Sequence, residues 1–118
     1  MKAILIDPIK KTIEEVEHTG DIDSIYKLLD CSMFETPIHY PNDDVMYCDE
    51  SAWLHIKEPY AGFEFPGWSY AILGKGLIVG TNNEGEDVDC KSSINDFKTI
   101  IWKSQEEMKR QGYNMGMI

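Results

Sequence analysis

The sequence predicts an α+β fold in a single domain spanning residues 1–118. A mostly antiparallel sheet is covered on one face by helices at about 22–30 and 93–110. Three observations predict it. Short apolar runs rich in strand-forming residues, led by Leu77-Ile78-Val79, recur between turn signals. Two other stretches carry apolar residues at helical spacing. At 118 residues and 42% hydrophobic content, the chain suits one domain with one core.

Lys2–Ile6 reads as a strand with apolar residues on both faces, and Asp7-Pro8 turns the chain. Thr12–Glu17 returns as its hairpin partner, an exposed edge given Glu14, Glu15 and Glu17; a short helix is the alternative, since Ile13 and Val16 sit three apart. Asp21 caps the first helix, whose stripe is Ile22, Ile25, Tyr26, Leu28 and Leu29. Residues 34–48 form a hairpin around Pro41-Asn42-Asp43-Asp44, with Pro37 confining its first arm to an edge or an extended loop. A tight turn at Gly74-Lys75-Gly76 joins Ala71–Leu73 to Leu77–Val79, and Thr81–Gly85 makes another turn. Ser92 or Ser93 caps the long second helix, with Ile94, Phe97, Ile100, Ile101, Ser104 and Met108 near one face and Gly112 as the stop. Residues 111–118 form an apolar tail that packs on the body, engages a second copy or stays loose.

Several chemistries fail on spacing. The glycines around Lys75 lack the third glycine of a dinucleotide loop and the Ser or Thr of a P-loop. His18, His39 and His55 share no metal-ligand spacing with Cys31, Cys48 and Cys90, and no Ser lies in a G-x-S-x-G elbow. An EF-hand centred on Gly85 would put Gly80 and Lys91 where carboxylates are needed. No cofactor and no metal is expected. Three widely spaced cysteines, no 18-residue apolar run and no signal-peptide pattern point to reduced thiols in the cytoplasm, away from membranes.

Charge is unevenly distributed. The net charge is −2 over residues 1–29, −10 over 30–89 and +2 over 90–118, and Lys57 and Lys75 are the only bases in the middle segment. Such a field repels nucleic acid and attracts basic partners, although it also serves plain solubility. The acids proposed to meet a partner are Asp43, Asp44, Asp49, Glu50, Glu84, Glu86, Asp87 and Asp89. Residues 51–69 combine Trp53, Tyr60, Phe63 and Trp68 with prolines and glycines. This suits an ordered loop whose rings pack on the core or stack on a ligand.

The segments MKAILIDP, IEEVE, IYKLLDC, DDVMYCDES and GKGLIVGTNNEGE, over roughly residues 1–90, resemble a family of small uncharacterised proteins carried by bacteriophages and mobile elements. The aromatic loop 53–68 and the tail depart from that pattern. The resemblance implies a phage or plasmid origin and a cytoplasmic setting, and it supplies no catalytic residue. The resulting expectation is a non-enzymatic accessory protein whose acidic middle binds a host or defence protein with a basic surface. A binder of a nucleotide or metabolite at Trp53, Tyr60, Phe63 and Trp68 is the alternative. An enzyme using paired acids ranks third, and a homodimer is conceivable through the tail or an open sheet edge.

Overall fold

A computed structural model describes residues 1–55, 57–66 and 71–110. Trp68 and the tail 111–118 lie outside the described residues. The strand β1 (Lys2–Asp7) pairs along its full length with β2 (Thr12–Glu17), from Lys2 opposite Glu17 to Asp7 opposite Thr12. The main sheet runs β2-β1-β7-β4-β3, with β3 at Phe34–His39, β4 at Asp44–Asp49 and β7 at Gly76–Thr81. The short β8 (Asp87–Val88) adds to the end of β7, and every pairing is antiparallel. Pro37 lies where the β3–β4 register slips between Glu35 and Ile38. This is an edge-strand irregularity expected of a residue without an N–H.

Strand alternation divides the core into two layers. Ala3, Val45, Leu77 and Val79 face the helix α1 (Ile22–Leu29) and bury Ile25 and Leu29. Ile4, Ile6, Met46, Cys48 and Ile78 face the other way, onto Phe63, Ile72, Phe97 and Ile100. That second layer is a small sheet, β6-β5-β9, of Gly62–Glu64 (β5), Ile72–Leu73 (β6) and Ile101–Lys103 (β9). Phe63 is 0% exposed, and burying a ring that completely contributes about 2–3 kcal/mol.

The first helix forms as its cap chemistry dictates: Asp21 accepts from the Ser24 N–H at 2.9 Å, and Asp30 ends it in the left-handed region at φ 57°. Two expectations need correction. The stretch 93–110 is not one helix but a 3-10 turn (Ile94–Phe97), then β9, then α3 (Gln105–Arg110). Trp102 pairs with Phe63, so cross-strand packing overrides the helical spacing of Ile94, Phe97 and Ile101. Ser104, placed on the apolar face by that spacing, instead caps α3 by accepting from the Glu107 N–H. The elements covering the main sheet therefore lie on both faces. The Gly74 turn, with φ 87°, also does not close a hairpin: β6 pairs with β5 and β7 with β1 and β4, so it passes the chain from one sheet to the other.

The turn after β7 is as expected. Asn82 accepts from the Glu84 and Glu86 N–H groups through its side chain, and Gly85 supplies a φ of 78°. No helix among the described residues is long and apolar enough to cross a membrane.

Candidate functional site: a cleft at the C-terminal end of the first helix

The last turn of α1 and the β1–β2 turn leave a cleft of about 440 Å³ beside the start of β7. Its walls include Ile9, Asp30, Asp49, His55, Tyr60 and Lys75, with Lys57 beside them. Each polar group is placed by a local feature. Strand parity puts Asp49 on the same face as Val45 and Tyr47. The short helix α2 (Ala52–His55) then returns His55 to Asp49, with Nε2 2.7 Å from Oδ2. At that distance the two groups form an ion pair when the imidazole is protonated. Asp49 is 7% exposed and also accepts from the Ser51 N–H, while His55 is 48% exposed. The imidazole is therefore held by a buried carboxylate while its ring stays open to solvent. Lys75 is carried by the turn between the two sheets, and the Tyr60 N–H is fixed by Gln105 at 3.1 Å.

Neither Lys57 nor Lys75 makes an ion pair among the described residues, whereas Lys91, Lys103 and Lys109 do. The cleft thus presents two ammonium groups held in no ion pair among the described residues, the Asp30 carboxylate, an aromatic residue and an exposed imidazole beside Asp49. Such a set suits a small molecule carrying an anionic group. His55, Lys57, Lys75 and Asp30 were not singled out as ligand-binding by sequence. The readable signal was that the two lysines are alone among the acids of residues 30–89.

The proposed aromatic platform is dispersed. Tyr60 lines the cleft, Trp53 is 43% exposed on α2, and Phe63 lies fully inside the core, edge-on to Phe65 at 5.8 Å. A ring with no exposed surface has no face to offer a ligand, so Phe63 is a core residue.

The proposed acidic surface is divided as well. Asp43, Glu50, Glu84, Glu86 and Asp89 are exposed. Asp44 is fully buried and accepts from the Lys91 N–H and from the N–H and hydroxyl of Ser92. Asp49 is occupied by His55. Asp87, 9% exposed, accepts from the Tyr47 hydroxyl at 2.7 Å and lies 2.7 Å from His18 Nε2. Burial and the Asp87 carboxylate push the Tyr47 hydroxyl well above its ordinary pKa, so it remains a donor. Among the described residues, no group of three or more His, Cys, Asp or Glu is placed to hold a metal ion.

No curated protein and no solved structure matches the chain. A family model described as Domain of unknown function (DUF3846) matches residues 1–101, which include every residue lining the cleft. The chain belongs to the DUF3846 family of domains of unknown function.

Proposed function

We propose that the protein binds a small metabolite or nucleotide through an anionic group, in the cleft formed by Asp49, His55, Lys57, Tyr60 and Lys75. One observation carries this reading. The only two bases between residues 30 and 89 both line this cleft, and neither is held in an ion pair among the described residues. In a segment of net charge −10, they balance Asp30 and Asp49, so the cleft is locally neutral within a negative surround. The two ammonium groups attract the anion, and the exposed His55 ring adds a polar contact.

A backbone amide NMR titration with inorganic phosphate and with a nucleoside monophosphate tests this. Saturable shifts are expected at Lys57, Tyr60, Ala61 and Lys75, and they should vanish in the Lys57→Ala/Lys75→Ala variant. Saturable shifts confined to another part of the molecule would refute it.

A second reading rests on a different contact. The N–H and hydroxyl of Thr81 both donate to the Asp43 carbonyl, which sets the β3–β4 and β7–β8 turns side by side. The exposed Asp43, Glu84 and Glu86 thereby share one end of the molecule, where a host or defence protein with a basic surface would be complementary. Binding of that kind weakens steeply with ionic strength.

A further inference from the structure

At the opposite end of α1, a chain of hydrogen bonds links a hydroxyl, an imidazole and a carboxylate. Ser24 Oγ lies 2.9 Å from His18 Nδ1, and His18 Nε2 lies 2.7 Å from Asp87 Oδ2. Because Asp87 can only accept, Nε2 bears the proton, and the neutral ring then accepts the Ser24 hydroxyl proton at Nδ1. Tyr47 donates to the other oxygen of Asp87, which fixes that carboxylate from a second side. Ser24 is half-buried, and its neighbours Asp21, Ile22 and Ile25 line a cleft of about 550 Å³ that also includes Phe34 and Glu86.

We propose that Ser24 is an acyl-accepting nucleophile, with His18 as its base and Asp87 as the group that orients the base, acting on a small carboxylic ester without negative charge. The order hydroxyl, imidazole, carboxylate is the one nucleophilic catalysis requires, whichever ring nitrogen faces the serine. Ile22, Ile25 and Phe34 offer apolar walls, while Asp21 and Glu86 disfavour an anionic substrate. The backbone N–H groups of Ile22 and Asp23, in the first turn of α1, donate to no acceptor among the described residues. They stand at the positive end of the helix, beside the serine that would create an oxyanion.

In the first step the Ser24 Oγ bonds to the ester carbonyl carbon and its proton passes to His18 Nδ1. The carbon–oxygen bond to the alcohol then breaks, and the alcohol leaves with that proton. Water next attacks the acyl-serine and gives a proton to Nδ1. The acid departs, and the proton returns to Ser24 Oγ. Atoms and charge balance without any further reactant, and the proposal is independent of the Lys57–Lys75 cleft.

The test is labelling of the folded full chain with diisopropyl fluorophosphate, followed by peptide mass spectrometry. One adduct on Ser24 is expected, with at least a tenfold slower labelling rate in Asp87→Asn and no adduct in Ser24→Ala. Hydrolysis of p-nitrophenyl acetate should exceed that of Ser24→Ala by at least tenfold. His18 is fully buried, so its variants are not used; if Asp87→Asn also fails to fold, the wild-type adduct and the Ser24→Ala comparison decide. A folded wild type without a Ser24 adduct would show that the hydrogen-bond chain only ties α1 to β8, and it would overturn the proposal. So would labelling at the same rate in a folded Asp87→Asn.

Discussion

The carboxylate of Asp44, at the start of β4, accepts the Ser92 hydroxyl at 2.6 Å and the Ser92 N–H at 2.8 Å. Asn42 and the Lys91 N–H converge on the same two oxygens. This fully buried acid therefore ties the β3–β4 turn to the segment that leads from the main sheet into the second one. Its surroundings also act on Tyr40, whose hydroxyl is pushed up by burial and then by the Asp44 charge.

Replacing Asp44 by Ala would leave the N–H groups of Lys91 and Ser92 without their acceptor. The expected loss is about 3 kcal/mol, since each unsatisfied buried donor costs about 1–3 kcal/mol. Urea denaturation of the variant checks it. The neighbouring Asp43→Asn, at an exposed position whose φ of 72° Asn also tolerates, should stay within about 0.5 kcal/mol of the wild type.

Gly80 is required for close approach. A Cβ there would run into the Asp89 carbonyl, which is backbone and cannot rotate away. Gly80→Ala should cost about 1–3 kcal/mol by overpacking and weaken the β7–β8 pairing. Hydrogen exchange at Val88 should accelerate while exchange at Leu5 stays protected.

Stability should fall at alkaline pH. Burial, then the charges of Glu35 and Asp49, push the Cys48 thiol up from 9.0 to about 12. Burial and Asp87 raise Tyr47 above its ordinary 10.0. The native state therefore holds these protons more tightly than the unfolded chain. Their contribution is complete below pH 9 and is lost as pH rises from there toward 12. For Cys48, which is 3% exposed, the slope is about 1.4 kcal/mol per pH unit. Urea midpoints measured between pH 8 and 11 should decline accordingly, and less so in Cys48→Ala.

Much of the fold was legible because its signals are local. The alternation in Lys2–Ile6, the Asp21 cap and the Asn82–Gly85 turn each specify their own element within a few residues. The C-terminal stretch was not legible, because β9 exists only by pairing with β5 some forty residues earlier, and nothing in Ile101-Trp102-Lys103 announces that partner. The acids misled for the same reason. Asp44 and Asp87 look like ordinary turn acids until Ser92 and His18 arrive from 48 and 69 residues away. For the cleft, Tyr60 and Asp49 were in view separately, while the convergence of Lys57 and Lys75 needed the crossover at Gly74 between the two sheets.

The most direct measurement of the anion-binding account is mass spectrometry of the full chain recovered from its native cell, under native conditions and again after denaturation. The account expects a small anionic molecule that stays with the folded wild type, is released on denaturation, and is absent from a folded Lys57→Ala/Lys75→Ala variant. A wild type that carries no such molecule, or a double variant that retains it, would contradict the account.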